Sequence, residues 1–243
     1  MNIYVTSLGS SEGKTFISAG ISAVLQSLGY KSGVYKPIQT GAIDKSNYLV
    51  SPDLAFVKLL DPFITTHCTY MMKTKAIPLV ASEIENITIK LPNILKDYTR
   101  LTQKTETLIT EAPSNLLTPI NNEEFAFHIP KILSTPVVFV INPSSNGIGQ
   151  YLSEINTAKT AGLDIVGVII NKFSVYSENI EIKTFPQLIE KYSDAKVLGL
   201  IRNFKEKSVK ANVLINEILN GIDIEDVLRM KITKLNLNYP NQL

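Results

Sequence analysis

Cysteine occurs once in the 243 residues, at Cys68, so no disulfide can form within the chain, and a small apolar residue in a reducing compartment is the reading it supports. With His67 and His128 the only histidines, the chain also lacks the ligand count of a zinc site. Arginine is scarce: Arg100, Arg202 and Arg229 are the only three, which leaves 21 lysines among the 24 basic residues. Phosphate binding, if present, therefore rests on lysine and backbone amides rather than guanidinium forks. Glycine is low as well, 12 residues in all, against about 7% in an average chain. No apolar run reaches the roughly 18 residues of a membrane span. The N-terminus, MNIYVTSLGSSEGKT, has no basic segment leading into a long apolar one. The net charge of +2 gives no broad basic surface for nucleic acid. These absences predict a soluble, cytoplasmic protein with neither membrane nor nucleic acid as partner.

What is present is a chain able to bury a core, 44% hydrophobic and 19% charged, which excludes global disorder. Short β-rich runs alternate with helical periodicity. Strands are predicted at Ile3–Val5, Gly33–Tyr35 (stopped by Lys36-Pro37), Thr107–Thr110, Val137–Ile141, Ile165–Ile170 and Lys196–Ile201. Helices are predicted at Phe16–Leu28, Leu54–Leu60, Leu91–Leu101, Gly149–Ala161, Phe185–Tyr192, Val209–Leu219 and Ile224–Met230. Met71 to Val80 is apolar but interrupted by Lys73, Lys75 and Pro78, and the tail after Lys231 is expected to fray. The alternation predicts one α/β domain over residues 1–243, with a mainly parallel sheet and helices on both faces. Ligands of such sheets gather at the carboxyl ends of the strands. The polar residues there are the candidates: Thr6–Thr15, Lys36–Thr40, Glu111 and Asn171.

Gly13-Lys14-Thr15 lies between the first strand and the first long helix, the context of a phosphate-binding loop. Amides at a helix N-terminus meet phosphate oxygens, Lys14 would reach the terminal phosphates, and the Thr15 hydroxyl would enter a magnesium shell. The formal pattern G-x-x-x-x-G-K-[ST] asks for glycine at position 8, where Leu8 stands, with Gly9 one residue late. An ordinary strand–turn–helix is the alternative, and the flanking strand and helix favour nucleotide binding over it. Glu12 brings a carboxylate into the loop; it could face a base, a ribose, a second subunit or solvent, and solvent is the expectation. Lys36 at a strand end has a chemical use beside such a loop, neutralising an attacking carboxylate and a phosphoryl group in flight. Glu111 ends a strand as a metal-side acid would. Asp53 stands at a helix start, so capping is its reading on position alone. Glu123 and Glu124 are expected to be solvated.

Taken together, VTSLGSSEGKT, YKPIQTG, SPDLAF, TEAPSN and VIINK stand in the order and spacing of the dethiobiotin synthetase family, which the chain resembles from about Ile3 to Phe204. YKPIQTG is the most specific of these segments. The resemblance implies a phosphate-loop α/β fold working as a homodimer. It implies closure of the ureido ring of dethiobiotin from 7,8-diaminopelargonate, carbon dioxide (or bicarbonate) and ATP with Mg2+, through a phosphorylated carbamate. By position, it makes Lys14 and Lys36 catalytic and Thr15, Asp53 and Glu111 the magnesium ligands, which lifts Asp53 above the capping reading. It assigns the substrate to Lys36 and Thr40. It assigns the nucleotide to Glu12, Gly13, Lys14, Thr15, Phe16, Asp53, Glu111, Asn171, Lys172, Arg202 and Asn203. Three loops depart from the family pattern: Ser7–Glu12 where the family has G-T-D-T, Ala112–Asn115 where it has G-A-G-G, and Ser145–Gln150. A related amide-forming ligase acting on another small substrate, or a non-catalytic nucleotide-binding regulatory domain, are the alternatives those loops leave open.

Overall fold

A computed structural model describes residues 2–10, 12–204 and 210–234. The order of elements is β1 (Asn2–Thr6), α1 (Lys14–Ser27), β2 (Ser32–Gln39), β3 (Ile43–Asp44), β4 (Leu49–Val50), α2 (Pro52–Leu60), β5 (Thr65–Met71), α3 (Pro78–Ile84), α4 (Leu91–Thr102) and β6 (Thr107–Glu111). Then come α5 (His128–Leu133), β7 (Val137–Ile141), α6 (Ile148–Thr160), β8 (Ile165–Phe173), α7 (Ile180–Ser193), β9 (Val197–Arg202), α8 (Ala211–Gly221) and α9 (Ile224–Leu228).

Seven strands form one parallel sheet in the order β5-β2-β6-β1-β7-β8-β9, and β3 with β4 makes a small antiparallel hairpin. Side chains alternate across the sheet because the strand period is two. Ile3 and Val5 of β1, with Val138 and Val140 of β7, pack against α1, α2, α8 and α9. Tyr4, Val137, Phe139 and Ile141 face the opposite layer, built from α3 to α7. A sheet covered on both faces explains why its central strands read as continuous apolar runs. The α/β architecture with a parallel sheet between two helical layers is the one expected.

Several boundaries differ from the sequence reading. β2 does not stop at Lys36-Pro37 but runs to Gln39. It pairs with β6 only as far as Tyr35, then continues against β5 alone. Pro37 thus sits where one side of the strand has no ladder, and its missing N–H removes no ladder bond on that side. A strand not predicted, β5, runs from Thr65 to Met71, and the interrupted segment leads from its end into α3, which starts on Pro78. α7 begins at Ile180, five residues before the expected Phe185, capped by the Asn179 side chain, and it carries Pro186 inside. Val209, the expected start of α8, lies outside the described residues, as does residues 235–243 of the tail. Residues 232–234 are docked: the Ile232 N–H donates to Glu225 at 2.8 Å and the Thr233 N–H to the Tyr30 hydroxyl at 2.9 Å. Among the described residues no helix is long and apolar enough to cross a membrane.

Candidate functional site

Parallel strands deliver their carboxyl ends to one edge of the sheet, and those of β1, β2 and β6 meet there. β1 leads into the loop that opens α1. Gly13, at the N-cap of α1, has φ of 94°, a left-handed conformation that a side chain would strain. The next two residues, Lys14 and Thr15, begin the helix with their amides free of intrahelical partners. Lys14 is buried, and its Nζ donates to Ser7 Oγ and to the Gly9 carbonyl, both at 2.7 Å. Burial, reinforced by repulsion from Lys36, lowers the Lys14 ammonium to about 8, against the pull of Glu111, Asp53 and Glu12.

Beside the loop, β2 and β6 bring Lys36 and Glu111 together. Lys36 Nζ is 2.5 Å from Glu111 Oε1 and 2.5 Å from Asp53 Oδ2. Burial works against this ammonium, yet the two carboxylates outweigh it and hold Lys36 firmly charged. Thr15 Oγ1 donates to the same Glu111 Oε1 at 2.9 Å. Glu111 Oε2 is buried without a hydrogen-bond partner. Asp53 does not cap α2, as its position alone suggested. Ser51 does so, accepting from the Leu54 N–H at 3.1 Å, and leaves Asp53 in the first turn free to meet Lys36. Ser51 Oγ also donates to Gln39 Oε1 at 2.6 Å, which ties the α2 start to the β2 end.

The donor set fits a hard divalent cation. Magnesium takes one or two carboxylates, hydroxyl oxygen and phosphate or water, and has little need of a protein cage. Glu111 Oε2, an orphaned acceptor in the interior, is costly unless a cation or donor meets it. The Asp53 carboxylate and the Thr15 hydroxyl oxygen stand beside the same lysine–glutamate pair.

These groups line one wall of a cleft of about 600 Å³. Thr40 and Gly41 at the end of β2 and Pro113-Ser114 after β6 line it too, and the segment from Lys75 to Pro78 forms another part of its lining. Lys75 is exposed and was not anticipated. Among 21 lysines nothing in its sequence context distinguishes it; only the β5–α3 connection brings it to the cleft.

The remaining candidates fall elsewhere. Glu12, expected in solvent, is 1% exposed and turned away from the cleft. Its carboxylate accepts from the Asn142 N–H at 2.6 Å and from Asn146 Nδ2 at 2.9 Å, and lies 2.7 Å from the Tyr151 hydroxyl. Asn171 is buried, and its Nδ2 donates to the Glu12 carbonyl at 2.9 Å, so one side of its amide holds the loop. Phe16 lies in the core, stacked with Phe56 and Phe204 at 6.4 and 6.1 Å, which leaves its backbone for any ligand. Lys172 takes a positive φ of 57° near the end of β8. Arg202 pairs with Glu217 at 3.0 Å and covers the Phe204 ring, and Asn203 is exposed beyond it. Of the rewritten loops, Ala112 is buried and its N–H continues the ladder to the Val5 carbonyl at 2.9 Å. A glycine is not needed there. Ser7 supplies the hydroxyl that receives Lys14.

Comparison with known proteins bears on the family and the fold. The family model AAA_26, described as an AAA domain, matches residues 1–208. The ATP-dependent dethiobiotin synthetase BioD of Anoxybacillus flavithermus is 27% identical over 211 residues, covering 85% of this chain and 95% of that protein. The protein of the same name from Bacillus subtilis (strain 168) is 28% identical over 200 residues, 81% of this chain and 85% of its own. Among solved structures, the MinC:MinD cell division complex of Aquifex aeolicus superposes with a TM-score of 0.57 at 16% identity, covering 97% of both chains. The septum site-determining protein MinD of Pyrococcus horikoshii, solved with Mg-ADP, gives 0.57 at 18% identity over 89% of this chain and 90% of its own. Those two likenesses establish the fold. With its family match spanning most of its length, and with dethiobiotin synthetases as relatives over that same length, the chain belongs to the AAA_26 family of AAA-domain proteins.

Proposed function

We propose that the protein is a dethiobiotin synthetase, closing the ureido ring of dethiobiotin from 7,8-diaminopelargonate, carbon dioxide and ATP. The observation that carries this reading is the Lys36–Asp53–Glu111 cluster, with Lys36 and Glu111 buried and Asp53 half-buried, joined to Thr15 at the mouth of the phosphate loop. A phosphate loop alone serves many reactions. A second buried lysine, fixed between two carboxylates beside that loop, is suited to an anionic nucleophile attacking phosphorus.

The steps follow from charge and position. One substrate amine attacks carbon dioxide and, losing a proton to solvent, gives a carbamate. A carbamate oxygen attacks the terminal phosphorus of ATP, and ADP leaves. The second amine attacks the carbamoyl carbon and loses its proton to solvent, the ring closes, and phosphate departs with its bonding pair. Lys36 Nζ holds the carbamate oxygen and the transferring phosphoryl group, whose summed negative charge it offsets. Lys14 serves the terminal phosphates. Thr15, Asp53 and Glu111 would hold magnesium, which when bound neutralises phosphate charge. Thr40 at the end of β2 contacts the diamine, and Lys75, which also lines the cleft, suits the carboxylate at the far end of diaminopelargonate. Most of the rate comes from positioning and charge stabilisation. The same reading carries a cytoplasmic homodimer, which light scattering on the purified protein checks.

The test is product formation. Purified protein with diaminopelargonate, bicarbonate, ATP and magnesium yields dethiobiotin, with omission of any one abolishing it. Nucleotide binding without dethiobiotin would instead favour a related ligase or a regulatory domain.

A further inference from the structure

Glu12 has no place in the chemistry above, yet it is among the most deeply committed side chains near the site. Its carboxylate is buried and accepts from two donors on the β7–α6 connection, the Asn142 N–H and Asn146 Nδ2. The Tyr151 hydroxyl stands 2.7 Å from Glu12 Oε2 and 2.8 Å from the Asn142 carbonyl, bracing both. The Glu12 main chain adds a third anchor, its carbonyl accepting from Asn171 Nδ2 on β8. One residue, next to Gly13, therefore ties the phosphate loop to the ends of two neighbouring strands. No sheet or helix pairing requires these bonds. A buried carboxylate is costly unless its acceptors are filled, and here the β7–α6 turn fills them.

We propose that Glu12 is a positioning residue that couples occupancy of the phosphate loop to order in the β7–α6 turn, residues 142–147. The inference rests on the nucleotide reading of that loop. Nucleotide that fixes the loop amides also fixes the neighbouring Glu12, whose side chain then holds the donors of the turn in place. An ordered turn in return holds the loop in the shape that binds phosphate. Such a coupling is reciprocal by linkage.

Amide hydrogen exchange on the full chain, with and without Mg-ADP, reads it directly. Saturating Mg-ADP is expected to slow exchange across residues 142–147 by about fivefold or more. Glu12→Ala is expected to weaken Mg-ADP by about tenfold, the scale of a lost charged hydrogen bond. When re-saturated, that variant shows no slowing in the turn. Glu12→Gln keeps an oxygen for Asn142 and restores most of the protection, which a general loss of packing would not predict. Tyr151→Phe, which keeps the ring packed, provides an intermediate loss should the alanine variant fail to fold. Full protection in saturated Glu12→Ala or Tyr151→Phe overturns the coupling, and so does binding of Mg-ADP by the unaltered chain without protection of the turn. No binding of Mg-ADP by the unaltered chain overturns both this coupling and the nucleotide reading.

Discussion

Two lysines of one cleft are set apart by what surrounds them. Lys36 is buried but flanked by two carboxylates, so it stays charged; Lys14 is buried with Lys36 as a neighbour, so its proton is loosely held. The consequence for stability has a definite sign. A lysine whose folded pKa falls from 10.5 to about 8 binds fewer protons folded than unfolded within that window. Its destabilising contribution is complete below about pH 8 and is relieved as pH rises from about 8 toward 10.5. Nucleotide phosphate, arriving beside Lys14, reverses the shift. Binding of Mg-ADP near pH 8 is therefore expected to take up protons, seen as a dependence of calorimetric enthalpy on buffer ionisation. Enthalpies that do not vary with buffer would contradict the assignment of Lys14. Lys36→Ala is expected to lower kcat by about a hundredfold or more while Mg-ADP affinity changes little. Equal losses in both would move Lys36 from the reaction to nucleotide binding. Lys75→Ala is expected to raise KM for the diamine about tenfold at nearly constant kcat, since its contact is made alike in ground and transition states.

At the scale of elements, the carboxyl ends of β1, β2 and β6 do the placing, and they were not equally legible. Thr107–Thr110 followed by Glu111, and Val137–Ile141, are apolar runs of strand length with clear stops, so their ends could be read. β2 was harder, because Pro37 ordinarily ends a strand and does not do so where only β5 pairs. β5 itself, Thr65–Met71, is an edge strand of half-buried residues without the apolar density that marked the others. On position alone Asp53 reads as a cap, because position in sequence cannot tell which of Ser51 and Asp53 turns toward the helix amides; only the family resemblance lifts it above that reading. Glu12 was unreadable in principle: its partners lie 130 or more residues away. Two glycines test the element packing. A Cβ on Gly167 of β8 would lie 2.4 Å from the Lys196 carbonyl oxygen, a backbone atom that cannot step aside. Gly167→Ala is expected to cost about 1–3 kcal/mol in denaturant unfolding, with the β8–β9 edge loosened. Gly13→Ala strains the positive φ that starts α1, and is expected to weaken Mg-ADP binding more than it lowers the melting temperature. Unchanged nucleotide affinity in Gly13→Ala would count against the loop as the phosphate site.

For the molecule as a whole, a parallel sheet closed on both faces gathers its reactive groups at one edge, and the scarcity of glycine takes on a location there. Ser7 and Ala112 stand where relatives of the resembled family carry glycine. Ser7 uses its hydroxyl to hold Lys14, and Ala112 is simply buried in ladder geometry. The lysine and carboxylate side of the cleft is thus built with fewer glycines, not left unbuilt. On the proposed function, the lysine–carboxylate cluster serves phosphoryl transfer to a carbamate oxygen. Carbon dioxide supplied as fully 18O-labelled bicarbonate tests it most directly, because the oxygen that attacks phosphorus leaves with the phosphate when the ring closes. The account predicts inorganic phosphate carrying one 18O for each dethiobiotin formed from ATP and diaminopelargonate. Dethiobiotin formed with unlabelled phosphate would contradict it.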